Sequence, residues 1–310
     1  MPQSIMQDII PKIALNTPFI SILKDRLYQH KEVEVAMLRL DEIHPVISGN
    51  KLFKLYYFLK EAKDATHKKI ITFGGAYSNH LAATAFACNK CDIQSIGFVR
   101  GERSKVLSHT LSFCIENGMQ LEFLSRSSYQ NINDSNFLQT LKKKYGEHIL
   151  IPEGGFSKKG AKGAELITQY FKDTYYSHIC LATGTATTFA GIINSAENEY
   201  EIIGFCILKS NNDTEDRLNK LQANTSGKYS INNDYHFGGY AKKTNDLIAF
   251  INAFYDQHKI PLDFVYTGKM MFGVNDLIQK NYFLTGSKIL CIHTGGLQGN
   301  NSLPKGILNF

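Results

Sequence analysis

The chain has 310 residues, enough to bury roughly three quarters of its unfolded surface without disulfides or a structural metal. Lys+Arg 34 against Asp+Glu 28 gives a formal charge of +6, with 43% hydrophobic and 20% charged residues. These values exclude a disordered chain, a collagen-like repeat and a small secreted disulfide scaffold.

The basic excess is scattered. Its densest group, Lys142, Lys143 and Lys144, falls where an exposed helix ends, so no nucleic-acid partner is expected. No run reaches the roughly 18 apolar residues of a membrane span, and no membrane partner is expected. The N-terminal MPQSIMQDIIPKIALN mixes proline and charge into its apolar residues and lacks a signal-peptide core, so a cytoplasmic location is expected.

Taken in chain order, strand-like apolar runs occupy 33–40, 69–73, 95–99, 120–124, 148–151, 178–182, 201–205 and 288–293. Between them lie helix-like segments at 52–65, 79–89, 161–171, 187–195 and 244–258. Strands alternating with helices of this length require right-handed crossovers, and therefore an α/β fold with mainly parallel sheet and helices on both faces. The polar stretch 209–229 reads as a surface helix with flexible edges. No Pro/Gly-rich linker divides the chain, so two domains would exchange segments. Five of the six cysteines lie in apolar runs and read as buried thiols; Cys88 and Cys91 form a C-x-x-C without a second pair or a histidine pair, so no metal is assigned.

Glycine clusters follow several strand-like runs, and in open α/β sheets ligands bind beyond the carboxyl ends of strands. SGNKLFKL places Lys51 at a helix start after Gly49. It is either a solvated first-turn lysine or, if buried in the positive field of the helix end, a lowered-pKa nucleophile. In FGGAYSNHLAATA, Ser78 and Asn79 are helix N-caps or, with backbone N–H groups, a grip for a carboxylate. LATGTATTFAGI runs an apolar strand into a Thr/Gly/Ala loop and a helix, an arrangement suited to a phosphate dianion. It matches neither G-x-x-x-x-G-K-[ST] nor G-x-G-x-x-G. VYTGKMMFG and ILCIHTGGLQG deliver Tyr266, Thr267, His293 and Thr294 to the same edge; a lone His293 reads as a satisfied structural histidine.

The order Asn50-Lys51, Gly75-x-x-Ser78-Asn79-His80, Thr/Gly loop, Tyr-Thr-Gly-Lys and His-Thr-Gly-Gly-Leu-Gln-Gly is specific in combination. From about Leu38 to Gly299, including EGGFSKKGAKGAEL, it resembles the 1-aminocyclopropane-1-carboxylate deaminase/D-cysteine desulfhydrase family of pyridoxal-phosphate enzymes. The resemblance implies a tryptophan synthase β-like fold (fold type II) of two open twisted, mainly parallel sheets. It further implies a larger domain at 1–45 and 161–310, a smaller one at 46–160, and a homodimer. Lys51 would carry pyridoxal 5'-phosphate, and Asn79 would meet its phenolic oxygen. Thr183, Gly184, Thr185, Ala186 and Thr187 would hold the phosphate. Ser78, Asn79 and the amides near His80 would take the carboxylate of a small amino-acid substrate. Ser78 and Tyr266 are candidates for proton handling, with Tyr240 as a second aromatic partner.

The family chemistry would remove the α-proton and expel a β-substituent, giving pyruvate and ammonia. Two positions bear on substrate. The cyclopropane deaminases carry glutamate and leucine where this chain has Thr267 and Thr294. A neutral residue facing the cofactor ring nitrogen leaves a weaker electron sink, adequate for expelling a thiolate. The expected activity is therefore α,β-elimination of D-cysteine or a related D-amino acid. The alternatives are deamination of the cyclopropane amino acid to 2-oxobutanoate, and a cofactor-binding protein with little turnover.

Overall fold

A computed structural model describes residues 7–66, 68–196, 200–209 and 213–310. Its strands are β1 (Ile20–Leu23), β2 (Glu34–Arg39), β3 (Lys69–Gly74), β4 (Gln94–Arg100), β5 (Gln120–Leu124), β6 (Ile149–Ile151), β7 (His178–Thr183), β8 (Glu201–Cys206), β9 (Tyr229–Asn232) and β10 (Lys288–His293).

Two sheets form among the described residues, with orders β1-β2-β10-β7-β8-β9 and β5-β4-β3-β6. Only β1 runs antiparallel to its neighbour; the other pairings are parallel. Burial on both faces explains why the central strands read as continuous apolar runs. Along β10, Leu290 and Ile292 enter one core while Ile289 and Cys291 enter another across the sheet, the period-two alternation of a strand. The helices Asn50–Asp64 and Lys158–Glu165, which link the two sheets, pack together with Thr187–Asn194, the crossover between β7 and β8, with Gly163 and Gly191 at close backbone approaches.

The sequence expectation holds for the fold class and departs from the structure in detail. β1 and β9 were not expected; both are short edge strands whose outward positions stay wet. The segment expected as one helix at 161–171 is an α-helix Lys158–Glu165 followed by a 3-10 turn Leu166–Tyr170. VYTGKMMFG, to which no element was assigned from the sequence, opens the helix Thr267–Gln279. Within the polar stretch 209–229, residues 210–212 lie outside the described residues and Asp213–Leu221 is helical. Cys88 and Cys91 are buried free thiols, and Cys91 Sγ donates to Ile9 O at 3.3 Å.

One backbone contact ties the Asn50–Asp64 helix to β10. Gly49 sits at φ +70°, and a Cβ there would lie 1.8 Å from Thr294 O. With no side chain in the way, Asn50 N donates to Thr294 O at 3.0 Å. The first turn of the Asn50–Asp64 helix is thereby fastened to the exit of β10.

Candidate active site

The exits of β3, β7 and β10 converge with the start of the Asn50–Asp64 helix, and Lys51 stands at that point. Its Nζ donates to Asn50 Oδ1 at 2.7 Å and lies 5.8 Å from the centre of the Tyr266 ring. Burial lowers its pKa to about 8, the charge of Asp263 acting the other way. Roughly a tenth of the amine is then uncharged at pH 7, far more than for an ordinary lysine, which is what a lysine nucleophile requires. The solvated-lysine reading therefore does not describe Lys51.

Facing it is the loop from Thr183 to Thr187. Ala186 adopts a left-handed conformation (φ 60°, ψ −2°) immediately before the Thr187–Asn194 helix, a costly choice for a residue with a Cβ. The wall of the cavity around Lys51 includes Thr183, Gly184, Thr185, Ala186, Thr187 and Thr294. Thr183 Oγ1 is buried with no hydrogen-bond partner. Such a group awaits a ligand or water. Lys54, one helical turn beyond Lys51, is buried, donates to Gly154 O at 3.1 Å, and lies well below the usual lysine range because of burial and the neighbouring Lys51. A phosphorylated aldehyde fits these features. The amine can bond a carbonyl carbon, while the orphan hydroxyl, the helix start and the cations suit a phosphate.

The cavity continues into a volume of about 470 Å³ whose wall includes Ser78, Asn79, His80, Arg100, Glu153, Tyr240 and Tyr266. Ser78 is the N-cap of the Asn79–Lys90 helix, its Oγ accepting from Leu81 N at 3.2 Å. Because that bond uses a lone pair, the hydroxyl hydrogen stays available to a carboxylate, and both sequence readings of Ser78 are compatible. Asn79 Nδ2 donates to Gly296 O at 2.8 Å and leaves Oδ1 buried without a partner. The open oxygen suits a donor, while a phenolic oxygen would call on the second Nδ2 hydrogen. Thr72 Oγ1 donates to Ile151 O, so its contact with His80 Nε2 at 2.8 Å is a bond that the histidine donates. His80 is therefore the Nε2–H tautomer. Burial, then Lys54 and Lys51, push its pKa to about 3. It acts at neutral pH only as an uncharged group.

Tyr266 and Tyr240 meet edge to face, 6.1 Å between centroids. Burial, with Tyr240 close by, holds the Tyr266 hydroxyl well above its usual range, so it is protonated. Thr267 behaves otherwise than expected. It is fully buried, its hydroxyl donates to Asp263 Oδ1 at 2.7 Å and accepts from Asp263 N at 3.2 Å, and it does not line the cavity. Thr294 does line it. His293 lies behind, donating through Nε2 to Pro261 O at 2.8 Å and accepting from Gly295 N at 3.1 Å through Nδ1.

Sequence reading missed Asp263. Its carboxylate, wholly buried, accepts from Val265 N, Tyr266 N, Thr267 N and Thr267 Oγ1, fixing the turn that presents Tyr266. Lys269, read only as the end of the Tyr-Thr-Gly-Lys motif, is buried and donates to His236 O at 2.9 Å and Gly239 O at 2.7 Å, pinning the loop before Tyr240. Arg100 and Glu153 went unremarked because nothing local to them signals a pocket. Asp263 had a weak signal, an aspartate three residues before a tyrosine at a helix start.

No family model matches the chain. Among curated proteins it is 28% identical over 287 residues to the bifunctional D-cysteine desulfhydrase/1-aminocyclopropane-1-carboxylate deaminase of Arabidopsis thaliana, covering 82% of this chain and 70% of that one. It is 27% identical over 285 residues to the D-cysteine desulfhydrase of Salmonella choleraesuis, covering 84% and 86%. A solved structure of an ACC deaminase homologue superposes with a TM-score of 0.79 at 25% identity, covering 96% of each chain. With its lysine, hydroxyl loop and paired sheets arranged in this way, the chain has the architecture of fold type II pyridoxal-phosphate enzymes and is similar over most of its length to the 1-aminocyclopropane-1-carboxylate deaminase/D-cysteine desulfhydrase family.

Proposed function

We propose that the protein is a lyase converting D-cysteine and water to pyruvate, ammonia and sulfide. The observation that carries this reading is Lys51, an amine with a pKa of about 8 in a buried cavity bounded by the hydroxyl loop on one side and Tyr266 on the other. Pyridoxal phosphate, when bound, supplies the electron sink for a carbanion at the α-carbon. Everything else falls to the chain.

Lys51 would hold the cofactor covalently and, once displaced by the substrate amine, act as base toward the α-proton. Thr183, Thr185, Thr187 and the N–H groups of Gly184 and Ala186 would hold the phosphate, with Lys54 Nζ close by as a further donor. The Ser78 hydroxyl and the backbone beside Asn79 and His80 would orient the carboxylate. Tyr266, protonated and 5.8 Å from Lys51, is placed to donate a proton to a departing thiolate. Thr294, which lines the cavity, is uncharged, and this neutral contact favours thiolate elimination over ring opening. The two sheets are proposed to be two domains, the smaller at 46–160 and the larger at 1–45 and 161–310, closing over this cleft, with the chain a homodimer.

The test is keto-acid release from D-cysteine, L-cysteine, D-serine and 1-aminocyclopropane-1-carboxylate. Sulfide and pyruvate from D-cysteine, with little 2-oxobutanoate, are expected. Efficient ring opening without D-cysteine turnover would replace this reading by the deaminase.

A further inference from the structure

Asn50 precedes the reactive lysine in the chain and is buried, 6% exposed, in the first turn of the helix. Its side chain is held at both ends. Oδ1 accepts from Lys51 Nζ at 2.7 Å, and Nδ2 donates to Thr188 Oγ1 at 2.8 Å. The two ends of the amide are not interchangeable, because a lysine ammonium only donates and so must meet the oxygen. Thr188 belongs to the helix that follows the hydroxyl loop, so the bond chain runs from the reactive amine to the proposed phosphate site. We propose that Asn50 is a positioning residue that receives the free amine of Lys51. As a neutral acceptor, it fills one N–H position and leaves the nitrogen lone pair to the cavity.

The proposal rests on the lyase reading, in which Lys51 must be released and regained in every turnover. A free lysine side chain has four rotatable carbons, and an amine left to wander would lose the position from which it takes the α-proton. An amide also differs from a carboxylate in the way the reaction needs. A carboxylate beside the amine would hold it as ammonium, with no lone pair for a proton or a carbonyl carbon. The other titratable groups near Lys51 are Lys54 on its own helix, His80 from the Asn79–Lys90 helix, and Asp263 and Tyr266 at the start of the Thr267–Gln279 helix, while Arg100, Glu153 and Tyr240 line the same cavity. The Thr183–Thr187 loop and the exit of β10 bring only uncharged side chains. Asp263 favours the ammonium and burial opposes it, leaving the amine near pKa 8.

Two substitutions of similar shape push the amine in opposite directions. Asn50→Asp keeps both contacts, because the Thr188 hydroxyl can turn from acceptor to donor. Asn50→Leu removes the acceptor. The experiment is competitive acetylation of the cofactor-free protein across pH 6–11, with the extent of reaction at Lys51 read by peptide mass spectrometry. In Asn50→Asp the midpoint is expected to rise by about one pH unit or more, a roughly tenfold loss of labelling at pH 7.5. In Asn50→Leu it is expected to fall below that of the wild type. A purely structural role would not give shifts of opposite sign. Midpoints equal to the wild type, or shifts of the same sign, overturn the proposal. Should Asn50→Asp not fold, Asn50→Leu decides alone, by a lowered or an unchanged midpoint. Failure of the wild type to gain visible absorbance with added pyridoxal phosphate would strike the lyase reading instead, since the labelling needs neither cofactor nor turnover.

Discussion

Asp263→Asn changes one atom at the buried turn that presents Tyr266. In the native protein Oδ2 accepts from Val265 N at 2.9 Å and Tyr266 N at 2.6 Å, while Oδ1 accepts from Thr267 N at 3.0 Å and Thr267 Oγ1 at 2.7 Å. An amide has only one oxygen, so whichever way it turns its NH₂ faces two donors. The Thr267 hydroxyl could rotate away, but a backbone N–H could not. At least one buried N–H, and in the other orientation two, would lose its partner, at about 1–3 kcal/mol each. A loss of about 3 kcal/mol corresponds to a fall of roughly 5–10 °C in melting temperature for a chain of this size. Thermal unfolding followed by circular dichroism measures it. The same change removes the charge that favours the Lys51 ammonium, so the pH at which Lys51 becomes reactive should move below that of the wild type. A variant melting within about 1 °C of the wild type would refute the assignment of Asp263 as the anchor of this turn.

Ser78→Ala should retain the cofactor, lose about 1 kcal/mol of helix capping, and lower turnover on the order of 10²-fold, measured by pyruvate release. Gly49→Ala should leave little folded protein on expression, because its Cβ would meet the Thr294 carbonyl at 1.8 Å and the backbone is at φ +70°. Thr267→Glu should lower the melting temperature rather than redirect specificity, since a second carboxylate would be forced beside Asp263 in a fully buried position. Cofactor attachment to the cofactor-free protein, followed by absorbance, should accelerate as pH rises toward about 8 and level off above it. The depressed lysine loses its proton over that range, whereas an ordinary lysine would keep accelerating past pH 10.

The fold was legible where burial on both faces makes a strand continuously apolar. Lys288–His293 has the bounds expected from the sequence, and Lys69–Gly74 and His178–Thr183 each extend one residue further. The four-residue edge strands Ile20–Leu23 and Tyr229–Asn232, largely half-buried, carry no such signal and escaped, whereas the edge strand Gln120–Leu124 was legible from its alternating Leu121 and Phe123. The helix Thr267–Gln279 was hidden by its glycines. They serve packing rather than turning, since a Cβ at Gly268 would lie 2.6 Å from Ile251 Cδ1 and one at Gly273 2.6 Å from Phe205 Cε1. In the site, Lys51, Ser78 and the Thr183–Thr187 loop were visible because glycine turns after strands mark the binding edge of an α/β sheet. Asp263 and Lys269 were not, since their meaning lies in backbone groups that only the folded chain brings to them. Thr267 was misjudged for the same reason. Sequence order places it beside Tyr266, but the first turn of the helix directs it into the core.

The proposed chemistry requires Lys51 as the cofactor-bearing amine. Purified protein should be loaded with pyridoxal phosphate, reduced with borohydride, digested, and the modified peptide identified by mass spectrometry, with Lys51→Ala in parallel. A single modification at Lys51, absent from the variant together with visible absorbance and turnover, is the expected result. Stoichiometric modification at another defined lysine, or its persistence in Lys51→Ala, would contradict the account.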